Sequence, residues 1–243
     1  MRTDVLGVEF DNVTMDEALR RAEQLIQERR AAYVVTPNPE IVMLCRENES
    51  AHRAVSGADL VLPDGIGIIY GARLLGTPMK EKVPGVDFAS NLIAKLGKSG
   101  GSIYLLGAKP GIAECAAQNL LEKNPGLRVV GSHDGYFTDD APIAAEINAA
   151  KPDFLLVCLG APKQELFMEK WHGRLDVGLM AGLGGCMDVY AGVVKRAPEI
   201  WQKLGLEWFY RLCREPQRFG RMLCLPRFLA LTATGRRKND ANT

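Results

Sequence analysis

The stretch SIYLLGAKPGIAECAAQNLLEK, residues 102–123, decides the fold. Its first seven residues form an apolar run rich in β-formers. Gly107-Ala108-Lys109-Pro110-Gly111 then breaks the run and opens an amphipathic stretch. Similar apolar runs recur on either side: DVLGVEF (4–10), AAYVVTP (31–37), ADLVLPD (58–64), LRVVGSH (127–133), DFLLVCLG (153–160) and DVGLMAGLG (176–184). Helices fill the intervals. Thr14 and Glu17 make a capping-box pattern ahead of ALRRAEQLIQERR, and further helices are expected to begin at Asn38-Pro39, Lys109-Pro110, Asp140-Ala141-Pro142 and Ala161-Pro162, with proline at an early helical position. This alternation predicts an α/β chain with a mostly parallel, doubly wound sheet and helices on both faces.

The chain has 243 residues, 47% of them hydrophobic and 24% charged, enough to bury one large core. No run reaches the roughly 18 apolar residues of a membrane span. The N-terminal MRTDVLGVEFDN carries acids where a signal peptide needs an apolar stretch, so a cytoplasmic location is expected. The six cysteines form no CxxC pair and sit mostly in apolar runs, which supports neither a disulfide framework nor a zinc site. The three histidines lack metal-ligand spacing, and there is no Asp-x-Asp pair to hold a cation on a diphosphate. No metal and no cofactor are expected.

In open parallel sheets, ligands gather beyond the carboxyl ends of the strands, and here those ends are polar or glycine-rich. Asp64, closing VLPDG, is the leading candidate for a general base; a turn-forming Asp before Gly is the alternative. Thr36 and Asn38 bracket a proline and offer neutral hydrogen-bonding groups, although Asn38 equally suits a helix N-cap. The loop from Gly107 is either a phosphate cradle at a helix start or a tight turn without a ligand, and it is not GxGxxG. Gln164 lies in GAPKQE, another helix start able to meet sugar hydroxyls or phosphate. Gly184 and Gly185 in GLGGCMDVYAG permit close backbone approach, and Asp188 follows them as an acceptor for a ribose or sugar; the alternative is a loop that needs glycine for its geometry.

Charge is distributed unevenly. Between Lys195 and Lys238 there are 11 Lys and Arg against 3 acids, whereas the rest of the chain has 19 basic and 26 acidic residues. Arg211, Arg214, Arg218 and Arg221 are spaced for one helical face, with Pro216 favouring two short helices or a kinked one. Trp208, Phe209, Leu212, Phe219, Met222 and Phe228 alternate with these cations, as in segments that meet anionic headgroups and the apolar interface together. An ordinary helix packed on the body with a solvated basic face is the plainer reading. Nucleic acid is not an expected partner, because the acidic body would repel a polyanion.

TPNPEIV (36–42), DLVLPDGIGI (59–68), PGVDF (84–88), YLLGAKPGIAE (104–114), GSHDGYF (131–137), LGAPKQE (159–165), GGCMDVYAGVVKRAP (184–198) and QKLGLEWFYRLCREPQR (202–218), in this order, resemble the WecG/TagA/CpsF glycosyltransferase family. The resemblance covers about residues 4–230 and departs from the expected pattern at Cys186-Met187, where Ser-Phe or similar is usual. It implies a modified Rossmann-like catalytic domain (1–195) and a helical, basic, membrane-associating appendage (196–243). It also implies metal-independent, inverting transfer from a UDP-sugar donor to an undecaprenyl-diphosphate-linked amino-sugar acceptor, on the inner face of the membrane. N-acetylmannosamine is the first choice of sugar, with its uronic acid, glucose and galactose behind it; a teichoic acid linkage unit is one such product. By the same resemblance Asp64 is the base, and Thr36, Asn38 and Gln164 are active-site positions. Gly107, Gly184, Gly185, Asp188 and Arg196 line the nucleotide site, and Arg211, Arg214, Arg218 and Arg221 close over diphosphates. Homo-oligomerisation through the apolar tail is left open. The competing classes are a nucleotide-dependent oxidoreductase, which lacks its glycine fingerprint here, and a non-catalytic membrane-surface module, which leaves the polar strand ends unexplained.

Overall fold

The computed structural model describes residues 2–214 and 219–240, apart from the side chains of residues 203, 211, 221, 222 and 236–240. Its strands are β1 (Arg2–Val5), β2 (Val8–Asp11), β3 (Ala32–Val35), β4 (Leu60–Val61), β5 (Ser102–Gly107), β6 (Arg128–His133), β7 (Phe154–Cys158) and β8 (Leu179–Gly182). The body helices are α1 (Met15–Glu28), α2 (Pro39–Glu47), α3 (Glu49–Ser56), α4 (Ile66–Leu74), α5 (Gly85–Ser99), α6 (Ile112–Lys123), α7 (Ala141–Ala150), α8 (Lys163–Trp171) and α9 (Cys186–Tyr190). The tail adds α10 (Glu199–Lys203), α11 (Glu207–Arg214), α12 (Phe219–Met222) and α13 (Cys224–Asp240).

Six strands form one parallel sheet in the order β4-β3-β8-β7-β5-β6. The central strands are buried at every position because both faces are covered, and apart from Ser102 at the start of β5 they carry no small polar or charged residue. Alternate residues divide between two cores. Ala32, Val34, Ile103, Leu105, Phe154 and Leu156 pack under α1, α5, α6 and α9, whereas Tyr33, Val35, Tyr104, Leu106, Leu155 and Val157 pack under α2, α3, α4, α7 and α8. The α/β architecture with a parallel sheet and helices on both faces is therefore as the alternation predicts, and it is consistent with the Rossmann-like fold that the resemblance implies.

The capping box forms as the sequence implies: the Thr14 side chain accepts from the Glu17 amide, and the Glu17 carboxylate accepts from the Thr14 amide. Asn38 caps α2 through its side-chain oxygen, with Pro39 in the first turn. Two details differ from expectation. Residues 4–10 are not one strand but most of an antiparallel hairpin, turned by Leu6 (φ 55°) and Gly7 (φ 92°), both in the left-handed region that a two-residue turn requires. Pro110 and Pro162 precede their helices instead of lying inside them, since α6 is entered through Gly111 and α8 through Pro162 itself. Asp11 at the end of the hairpin accepts from the Val61 amide and so covers the β4 edge.

The tail returns to the body through α13, which lies against α4 and α2. Phe228 and Thr232 are fully buried there, and Gly71 of α4 makes the approach possible, because a Cβ at that position would stand 2.7 Å from the Phe228 ring. Removing the ring leaves a cavity as well as losing its transfer free energy. A Phe228→Ala variant is expected to lose about 3–5 kcal/mol of unfolding free energy, read from its denaturant midpoint.

Candidate active site

The carboxyl ends of β4, β3 and β8 open into a cleft of about 810 Å³. Asp64 and Asn38 lie in its lining, with Gly185 and Cys186 from the β8–α9 turn. The opposite wall comes from the tail and includes Leu206, Trp208, Leu212, Phe219, Leu223 and Phe228. Asp64 is half-buried. Its backbone N–H donates to the Pro37 carbonyl at 3.2 Å, and its Oδ2 accepts from the first amide of α5, Gly85 N, at 3.3 Å. A helix N-terminus thus orients the carboxylate at the cleft. Asn38 combines both roles considered for it: it caps α2 and it lines the cleft.

Thr36 and Gln164 stand behind this surface. Thr36 is buried and donates from Oγ1 to the Gly182 carbonyl at 3.2 Å. Gln164 is 3% exposed; its Oε1 accepts from Gly184 N at 3.0 Å, and its Nε2 donates to Glu165 Oε1 at 2.9 Å. Both side chains therefore fix the Gly182–Gly184 turn that carries Leu183 and Gly185 into the cleft. Glu165, 2% exposed, has no hydrogen-bond partner at Oε2. Burial raises its pKa above the ordinary 4.5, and the Gln164 hydrogen bond offsets only part of that rise. The folded state thus holds the proton to higher pH than the unfolded chain, so stability falls as pH rises from 4.5 through the folded-state pKa. A Glu165→Gln variant is expected to gain on wild type steadily across that window in urea titrations. A gap that stays constant with pH would show that Glu165 is not the group responsible.

A second cavity, about 230 Å³, lies where the connection leaving β5 runs to β6 and that leaving β7 runs the opposite way to β8. Such a reversal is where parallel sheets bind nucleotides. Ala108, Lys109, Gly135, Tyr136, Leu159 and Asp188 line it. Gly107 (φ 126°) shapes its floor, since a Cβ there would collide with the Cys158 carbonyl. The Ala108 amide is already spent on that same carbonyl, at 3.1 Å. Burial pushes the Cys158 thiol up to about 12, which leaves it a packing residue, not a nucleophile. The short helix α9 joins the two cavities, with Cys186 in the larger and Asp188 in the smaller.

Arg196 is held by Asp87 of α5 through two hydrogen bonds, one of them 2.7 Å, and its Nε faces Glu207 at 3.5 Å. It fastens the start of the tail to the body and is absent from the lining of either cavity. Arg214 rests on the Tyr210 ring in an exposed position. Arg211 and Arg221 belong to α11 and α12, but their side chains, and all of Arg218 and Pro216, lie outside the described residues. Lys82, Glu207 and Tyr70 also line the large cleft and were not singled out by sequence. For Lys82 the chain offers no signal, because KEKVPG (80–85) has neither periodicity nor a motif. Among the described residues, no group of three or more His, Cys, Asp or Glu is placed to hold a metal ion, and no helix is long and apolar enough to cross a membrane.

A parallel α/β sheet with one cavity at its reversal point and a larger one beside a half-buried carboxylate offers an enzyme two adjacent substrate sites. The model of the glycosyl transferase WecG/TagA/CpsF family matches residues 3–242, and the chain belongs to that family. Relatives named N-acetylglucosaminyldiphosphoundecaprenol N-acetyl-beta-D-mannosaminyltransferase include one from Bacillus subtilis, 35% identical over 88% of this chain and 83% of its own. A second, from Bacillus spizizenii, is 34% identical over 84% and 79%, and a third, from Staphylococcus aureus, is 30% identical over 98% and 94%.

Proposed function

We propose that this chain transfers N-acetylmannosamine, with inversion, from its UDP-sugar to an undecaprenyl-diphosphate-linked N-acetylglucosamine. The carrying observation is the large cleft, which sets the Asp64 carboxylate and Asn38 opposite an apolar wall from the tail. A lipid-linked sugar needs that combination, with polar groups for its hydroxyls and an apolar surface for its chain. Asp64 takes the proton from the attacking hydroxyl, the oxygen bonds to the anomeric carbon, and the bond from that carbon to the diphosphate breaks, its electrons leaving with UDP. In this reading Thr36 and Gln164 hold the β8 turn, whose Gly184 leads Gly185 into the large cleft, and Gly107 and Asp188 shape the donor side. The α6 N-terminus and cations of the tail, drawn from Arg211, Arg214, Arg218 and Arg221, meet the charge that grows on UDP. Arg196 lies against Glu207, held in place by Asp87.

Residues 1–195 then serve as the catalytic body and 196–243 as an appendage that rests on an anionic membrane surface. Exposed Ile200, Leu204, Phe219 and Leu223 support that placement. The test is UDP release from UDP-N-acetylmannosamine with a lipid-diphosphate N-acetylglucosamine analogue and EDTA present. Release that depends on the acceptor is expected. Failure with this donor and with the uronic, glucosyl and galactosyl donors would remove the transferase reading.

A further inference from the structure

The tail and body meet at a group of four charges beside the large cleft. Glu207, the first residue of α11, places one carboxylate oxygen 3.5 Å from Lys82 Nζ and the other 3.5 Å from Arg196 Nε. Both distances exceed the roughly 2.7–2.9 Å of a good charge-assisted hydrogen bond, and Arg196 Nε is buried without any hydrogen-bond partner. The same guanidinium makes a close bidentate pair with Asp87, so its two Nη atoms are used while Nε is not. Lys82 and Glu207 line the cleft that also holds Asp64.

Two cations thus share one loosely held carboxylate, and all three side chains are only 22–26% exposed, so solvent screens them incompletely. We infer that Lys82 and Arg196 form a receptor for a diphosphate ester, and that the Glu207 carboxylate is an intramolecular stand-in which this diphosphate displaces. The inference rests on the reading of the large cleft as the acceptor side, and it assigns the receptor to the acceptor's diphosphate, since neither cation lines the cavity at the strand reversal. Asp87 offsets Arg196, so once Glu207 withdraws the group carries one net positive charge from Lys82. A diphosphate brings more acceptor oxygens than a carboxylate and can reach Nε and Nζ together. Because Glu207 begins α11, substrate arrival and the seating of that helix become one event.

The probe is inorganic pyrophosphate, titrated calorimetrically into the full chain with saturating UDP present. Glu207→Gln is expected to tighten pyrophosphate binding by about 5-fold or more, and adding Lys82→Met should abolish that gain. Lys82→Met alone, a change in a body loop that leaves α11 intact, should weaken binding to a similar degree and raise the KM for the lipid acceptor with kcat nearly unchanged. Unchanged affinity in Glu207→Gln, a gain that survives Lys82→Met, or a gain seen only without UDP would each overturn the receptor. A protein with no sugar transfer that still shows the Lys82-dependent gain keeps the anion site and loses the transferase reading; active transfer with unchanged affinities does the reverse.

Discussion

An Asp64→Asn variant is expected to lose acceptor-dependent UDP release by about 10²–10⁴-fold while melting within a degree or two of wild type. The amide has nearly the shape of the carboxylate, and its oxygen can still accept from Gly85 N, so the α5 entry and the cleft should persist. What it lacks is a site for the proton of the attacking hydroxyl. Donor affinity should hold, since the cavity at the strand reversal is lined by other residues. A near wild-type rate would remove Asp64 from the role of base.

Removing residues from 196 onward is expected to leave a folded body and cut transfer to a lipid acceptor by more than about 10²-fold. All six strands of the parallel sheet, and both of its helical layers apart from α13, lie before that point. The large cleft, however, loses the wall built from Leu206, Trp208, Leu212, Phe219, Leu223 and Phe228, and water gains access to Asp64. The truncated protein should also unfold at lower denaturant, because the groove over Gly71 loses Phe228. Full activity on a lipid acceptor after truncation would make the appendage dispensable for transfer.

The strand ends were legible because parallel sheets leave polar residues where apolar runs stop; Asp64, Asn38 and Asp188 were found by that rule alone and all line a cavity. Thr14 and Asn38 were legible as caps because their hydrogen bonds span only three residues. The hairpin at residues 2–11 was not, because Leu6 at positive φ runs against its own local preference and is held there by the strands it joins. The charge group at the tail was hidden for another reason. Arg196 meets Asp87 across 109 residues and Lys82 meets Glu207 across 125, and no local pattern encodes such pairs. Gln164 was picked as a group for ligand contacts, yet its amide is engaged inside the protein, one layer behind the surface.

The position of β8 has a consequence for how the chain reaches this state. It is the last strand of the sheet to be synthesised, yet it lies between β3 and β7 and joins β4-β3 to β7-β5-β6. Until residue 182 has emerged, the two part-sheets have no strand between them, and β3 and β7 each expose an unpaired, wholly apolar edge. Such long-range closure is slow. A chain halted before residue 182 therefore lacks the strand that joins the two part-sheets, so the complete parallel sheet forms only once β8 is available.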